Sequence, residues 1–161
     1  MIAGRAGALK NTLNPMEFWF LVLLRWLHVG AAVIAIGGTA MLRCILIPAL
    51  QGRPEQDEIL SRVRTIFKRW IHISIAVLLG TGFYNYLAVA GPRLAEAGDQ
   101  MKPYHPVMGL KILLSLALFG IALMLLAPVP SFHARRKTWL AVNLGLAAVI
   151  TLLGAYLRRL W

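Results

Sequence analysis

Few ionisable side chains lie within the apolar stretches of this chain, and those few are the residues that could carry chemistry. His28, His72 and Lys111 are the three that matter most. Placing an ionisable group inside a membrane is costly, so the groups found there tend to be functional. An imidazole can bind a metal ion, and an amine can bind carboxylates. These three side chains are therefore the first candidates for a cofactor or substrate site.

His28 and Lys111 are expected at a similar depth in the membrane. His28 follows Arg25 by one helical turn, and Lys111 lies early in an apolar stretch that starts at Pro106. A b-type haem needs an axial imidazole, an apolar slot between helices and cations for its propionates. His28 would be the iron ligand, and Arg25, on the same helix face, would be the propionate partner. The alternative is a structural histidine that hydrogen-bonds to a neighbouring helix.

Two further groups of residues offer metal-binding chemistry. Met101, His105 and Met108 have the spacing i, i+4, i+7, and thioether plus imidazole suits Cu(I); packing and helix capping are the simpler roles. His72 lies two residues after Trp70, which indicates either an interfacial histidine or a ligand of a second site. Copper is therefore an alternative to haem.

Glycines and the remaining polar residues narrow the choice. Gly37 and Gly38 either allow two helices to approach closely or offer a face for a flat macrocycle, with Gly38 the candidate cofactor contact. A single cysteine, Cys44, excludes an internal disulfide. No carboxylate lies in the core of an apolar stretch, since Glu17 precedes the first one, which argues against a proton relay built on acids.

The elements that position these residues are predicted to be membrane-spanning helices. The chain has 161 residues, of which 59% are hydrophobic, and a mean hydropathy of +0.70. Soluble proteins are about 45–50% apolar. Apolar stretches at about 18–48, 70–90, 106–127 and 138–157 can each cross a bilayer, which takes about 20 residues. The sequence predicts an all-α protein whose 161 residues form one transmembrane four-helix bundle.

The segment 55–69 has a different character from the four apolar stretches. Apolar residues such as Ile59, Val63 and Ile66 recur at helical spacing, with basic residues between them. This pattern predicts an additional amphipathic helix at the membrane surface, or a solvated start of the second span.

The net charge of +11 points to lipid rather than to nucleic acid. The basic residues fall between the apolar stretches, where anionic headgroups attract them, and no nucleic-acid-binding motif is present. The segments after spans one and three carry more of these residues than the opposite side, which favours both termini outside, in a bacterial inner membrane. The first side holds Arg53, Arg62, Arg64, Lys68, Arg69, Arg135, Arg136 and Lys137, and the other holds Arg5, Lys10, Arg93, Lys102, Arg158 and Arg159.

Short motifs in three of the spans resemble two membrane-protein families. The run 27–29 (Leu-His-Val), followed by Gly37-Gly38 and Arg43, resembles the first helix of the HemJ-type protoporphyrinogen oxidases and of the copper-resistance D (CopD) family. The run 80–82 (Gly-Thr-Gly) after a basic segment is similar to a CopD pattern. The run 109–114 resembles the lysine-bearing helix of both families.

The HemJ resemblance implies a four-helix membrane protein that binds b-type haem and oxidises protoporphyrinogen. The functional histidine and lysine of that family map to His28 and Lys111, with Lys111 either an opposite iron ligand or a charge that binds a tetrapyrrole substrate. Ala35 and Ile36 stand where that family has a tryptophan. The CopD resemblance instead implies copper uptake. A third hypothesis is a small structural subunit of a membrane complex, and a homo-oligomer or a membrane redox partner fits each hypothesis.

Overall fold

The computed structural model of the protein describes residues 14–91, 104–127 and 135–159, and these are almost entirely helical, with no strand among them. The long helices are α1 (Pro15–Met41), α2 (Gln56–Tyr84), α3 (Tyr104–Leu126) and α4 (Arg136–Arg159). All four are long and apolar enough to cross a membrane. The predicted all-α, four-helix membrane bundle is confirmed.

Helix α1 begins and ends where local chemistry dictates. Pro15 occupies the first turn, where its missing N–H costs nothing, and the backbone N–H of Asn14 donates to Glu17 Oε2 at 3.3 Å. A π-helical turn, Leu42–Leu46, and a short helix, Ile47–Leu50, continue the same rod. The chain then turns at Gly52, whose φ of 81° is favourable only for glycine.

The amphipathic segment proves to be the solvated start of α2. A single helix runs from Gln56 to Tyr84 and continues through a π-helical turn, Asn85–Ala90. Leu60 on the apolar face of this segment is buried in the bundle. On its polar face, Arg62 pairs with Glu58 at 2.7 Å. The helix predicted from the periodicity of 55–69 is therefore confirmed, and this segment belongs to the second spanning helix.

The four long helices form a ring in which α1 packs on α2, α3 packs on α4, and the contacts α1–α4 and α2–α3 close it. Consecutive helices run antiparallel, so their N-termini alternate between the two ends of the bundle. We name them the His28 end, where α1 and α3 begin, and the Arg64 end, where α2 and α4 begin. Large apolar side chains point outward along the spans, as at Leu113 and Leu152, which are 66% and 69% exposed. Such an apolar exterior is what contact with lipid requires.

Candidate functional site

The side chain of His28 is fixed by a hydrogen bond from α1 to α2. Its Nδ1 lies 2.8 Å from Thr81 Oγ1. The Thr81 hydroxyl in turn donates to the carbonyl of Val77 at 2.6 Å. Because a hydroxyl has a single proton, its oxygen can only accept from His28, which assigns the imidazole proton to Nδ1. Nε2 of the neutral ring therefore keeps the lone pair that a metal ion needs.

The stretch of α2 that receives His28 is itself irregular. Asn85 Nδ2 donates to the carbonyl of Thr81 at 2.9 Å, just where the helix changes from α to π geometry. Such π-helical turns occur often at functional sites. A Cβ at Gly82 would lie 3.6 Å from His28 Cε1, so the imidazole rests directly against the backbone of α2.

Lys111 approaches the same region from α3. Its Nζ lies 3.4 Å from where a Cβ at Gly154 would stand, so the side chain reaches across to α4. Its backbone carbonyl accepts a hydrogen bond from Ser115 Oγ at 2.8 Å. Lys111 and His28 are close enough to interact electrostatically. This agrees with their expected common depth, and it brings residues of all four helices to one region.

Other polar side chains at the His28 end have varied positions. Arg25 lies one turn earlier on α1 and is exposed. Tyr84 is also exposed and packs edge-on against Phe20, with ring centroids 5.5 Å apart. Tyr104 is buried, but against Ala90 and Leu157 at the end of the bundle. The described structure therefore gives His28 a partner in Thr81, while Arg25 faces outward.

Gly38 has a packing partner in the protein itself. A Cβ at this position would overlap the ring of Phe67 on α2, whereas a Cβ at Gly37 would meet nothing within 4 Å. The absence of a side chain at Gly38 thus lets α1 and α2 approach closely. Of the two roles considered for this glycine, the contact with Phe67 is the one that the structure displays.

His72 is separate from the His28 region. It is exposed on α2, and its Nδ1 lies 2.7 Å from the carbonyl of Lys68, one turn earlier on the same helix. A carbonyl only accepts, so Nδ1 carries the proton here as well. The two histidines thus share a tautomer, but only His28 is held by a second helix.

The residues considered for copper are only partly described. His105 is exposed at the start of α3, and Met108 packs against the buried cluster of Ala90, Tyr104 and Leu157. Met101 lies outside the described residues. Across residues 14–91, 104–127 and 135–159, no group of three His, Cys, Asp or Glu side chains could hold a metal ion.

Two cavities lie at the Arg64 end. One, of about 30 Å³, is lined by Thr39, Asn143 and apolar side chains, and reaches Arg64 and Arg136. The other, of about 430 Å³, is open and also borders Arg64 and Arg136. The sequence analysis missed both, although the basic residues that line them were visible between the spans.

Thr81 is the residue of the site that sequence reasoning did not identify as functional. It appeared only within the Gly-Thr-Gly run, and its partner His28 is 53 positions away. A threonine in a spanning helix usually bonds to its own backbone, as Thr39 does to Ala35 at 2.8 Å. No local pattern could show that Thr81 does this and also accepts a bond from another helix.

Comparison of the chain with family models, curated proteins and solved structures returned no match. Its class is therefore defined by its fold: a membrane protein of four spanning helices.

Proposed function

We propose that the protein is a b-type haem-binding oxidoreductase of the membrane, with His28 Nε2 as the axial iron ligand. The observation that carries this proposal is the hydrogen bond between His28 Nδ1 and Thr81. Histidines that bind metals almost always donate their other ring N–H to a fixed acceptor, which sets the tautomer and the orientation of the ring. Thr81 supplies that acceptor from a neighbouring helix.

The surroundings of His28 fit the group as well. The imidazole is half-buried against Gly82, where no side chain stands between it and the helix. Bound haem supplies one-electron chemistry through ferric and ferrous iron. His28 would hold the iron, Thr81 would orient the imidazole, and the apolar flanks of the helices would exclude water.

Lys111 is the residue that would give the site a role beyond haem binding. Its ammonium is half-buried near Gly154 and interacts with His28. A desolvated amine would either serve as a second iron ligand or attract the carboxylates of a tetrapyrrole substrate. The second role is the basis for proposing protoporphyrinogen-type oxidation as the reaction. Arg25, one turn before His28 on α1 and exposed, is the proposed propionate partner.

The setting proposed for this activity is a bacterial inner membrane with both termini outside. The larger number of Lys and Arg residues at the Arg64 end supports that orientation, because positive residues collect on the cytoplasmic side. The His28 end then faces outward. A membrane redox protein would be the electron partner, and a homo-oligomer of the chain is the alternative assembly.

The test is an optical spectrum of the detergent-purified protein, oxidised and then reduced with dithionite, after expression with ample haem. We expect a Soret band that shifts on reduction, with resolved α and β bands. His28→Ala is expected to lose the haem, whereas His72→Ala, a histidine of the same tautomer on an exposed face, is the matched control and keeps it. A colourless wild-type protein, or full haem in His28→Ala, would contradict the proposal.

Lys111→Met then distinguishes the two roles of the lysine. A changed ligand-field spectrum would make Lys111 an iron ligand. An unchanged spectrum with lost oxidation of a tetrapyrrole would make it the substrate-binding charge. If wild-type protein lacks haem, metal analysis of the same samples tests the copper expectation.

A further inference from the structure

The Arg64 end has an open cavity whose walls are strongly positive. It has a volume of about 430 Å³, and its lining includes four cations and one carboxylate, that of Asp57. The cations come from two helices that both begin at this end: Arg64 from α2, and Arg135, Arg136 and Lys137 from the start of α4 and the residue before it. Like charges so placed repel one another, and an anion bound between them would reduce that repulsion.

Two of these cations, Arg64 and Arg136, are less exposed than Arg135 and Lys137. Arg64 and Arg136 are both partly buried and interact electrostatically with each other. Both also line the smaller cavity next to Asn143, so their side chains lie between the interior and the open cavity. Desolvation raises the cost of bringing two guanidinium groups close together. A bound anion would offset this cost.

The positive wall is also held in place by bonds across the bundle. Arg43 Nε donates to the carbonyl of Lys137 at 3.0 Å, which ties α1 to the start of α4. Lys137 Nζ lies 3.4 Å from Gln51 Oε1, in the turn after α1. The cavity is therefore formed by fixed elements from three parts of the chain.

From this geometry we infer that the cavity lined by Arg64, Arg136 and Lys137 binds the phosphate headgroup of an anionic phospholipid. The ligand chemistry is a phosphate monoanion, which guanidinium groups bind with paired N–H donors. Basic pockets between spanning helices, at headgroup level, bind anionic lipids in this way.

The size and lining of the cavity favour a lipid over free phosphate. A volume of about 430 Å³ corresponds to roughly fourteen water molecules at about 30 Å³ each, which exceeds the need of one small anion. Ile47 and Leu60 give the cavity an apolar side as well. The glycerol and first acyl carbons of a lipid would cover these side chains, and inorganic phosphate would leave them bare.

The experiment measures lipid binding to the full chain in a neutral detergent, by titration with mixed micelles. Phosphatidylglycerol micelles are the probe, and phosphatidylcholine micelles and inorganic phosphate are the comparisons, all at one ionic strength. We expect saturable binding of phosphatidylglycerol, at least tenfold tighter than that of phosphatidylcholine. Binding of inorganic phosphate as tight as that of phosphatidylglycerol would overturn the lipid assignment and leave a free-phosphate site.

The decisive variant is Arg64→Gln/Arg136→Gln, with Arg158→Gln/Arg159→Gln as its matched control. Both remove two positive charges, but the second pair is exposed at the far end of α4. We expect the first variant to weaken phosphatidylglycerol binding at least tenfold and the control to change it less than twofold. Equal losses would show that only general charge attraction operates, and would overturn the site.

A second variant covers the case in which the buried pair is needed for folding. Lys137 is exposed, so Lys137→Gln should fold normally. It is expected to weaken phosphatidylglycerol binding about threefold, with an unchanged unfolding temperature in lipid-free detergent. Unchanged lipid binding in this variant would contradict the proposed lining. The haem spectrum should be the same in all these proteins, so this test is independent of the proposed function.

Discussion

The two ends of the bundle use positive charge in different ways. At the His28 end, two basic side chains lie on different helices, α1 and α3, and one of them, His28, is oriented by the hydrogen bond that it donates to Thr81. At the Arg64 end, several cations crowd around an open cavity. The first arrangement fixes the direction of one lone pair, which is what coordination chemistry needs. The second concentrates charge without selecting a single atom, which suits attraction of an anion.

Thr81 provides the first test of this difference between the two ends, because its replacement should change cofactor binding and not the fold. Thr81→Val removes the acceptor of His28 Nδ1, so the ring loses its fixed tautomer. We expect haem affinity to fall about 10- to 100-fold, as for other lost partners of metal-binding histidines, which is about 1.4 to 2.8 kcal/mol. Haem titration of the apoprotein measures it.

Thr39→Val is the matched control for that experiment. Thr39 is as buried as Thr81 and bonds to its own helix in the same way, but it lies toward the Arg64 end. Its replacement should change haem affinity by less than twofold. If the two valine variants behave alike, the hydrogen bond to His28 does not prepare a metal ligand.

The contact between α1 and α2 provides a second test, because a substitution there changes helix packing and leaves the side chains of the candidate site unchanged. Gly38→Leu places a side chain where the Phe67 ring lies, whereas Gly37→Leu points into open space. Overpacking typically costs on the order of 1–3 kcal/mol. We expect Gly38→Leu alone to lower the free energy of unfolding by about this amount, as measured by denaturation in mixed micelles.

A compensating change makes this prediction stricter. Adding Phe67→Ala to Gly38→Leu removes the ring that the leucine would meet, so the double variant should recover part of the lost stability. Additive effects of the two substitutions would show that the close approach of the helices does not depend on this pair. They would also reopen the other role considered for Gly38, a face for a macrocycle.

Much of the fold was predictable because lipid imposes a simple rule on sequence. A span must be apolar for about 20 residues, so four apolar stretches gave four helices. The segment 55–69 showed helical spacing, but whether it was a separate surface helix depended on packing: Leu60 is buried against Ile47 and Leu125. The sequence alone could not weigh that contact.

The candidate site was predictable only in part, for a related reason. His28 and Lys111 stood out because ionisable groups are rare in spans, and depth counted along each helix put them together. Thr81 and Phe67 were not identified as the partners of His28 and Gly38, because these contacts depend on how each helix is rotated about its axis. Each span carries apolar residues on most of its faces, so hydropathy gives little information about how the helix is rotated about its axis.

The smallest effect is expected from the asparagines, and it tests whether polar bonds between helices stabilise one end more than the other. Asn143 is only 4% exposed, and its Nδ2 donates to the carbonyl of Leu118 on α3 at 3.0 Å. Asn85 donates to the carbonyl of Thr81, one turn earlier on the same helical segment, and among the described residues it has no bond to another helix. Bonds between helices in membranes contribute about 0.6 kcal/mol on average. Asn143→Leu should therefore lower the free energy of unfolding by about that amount, and Asn85→Leu by less.

Both leucine variants remove one amide and add similar apolar volume, so the difference between them isolates the bond between α3 and α4. Denaturation in mixed micelles measures both values under one condition. A larger loss of unfolding free energy for Asn85→Leu would mean that the bond of Asn85 at the π-helical turn contributes more to stability than the bond between α3 and α4. The His28 end would then be the more rigid of the two, because irregular backbone must be held by side chains where regular helix is not.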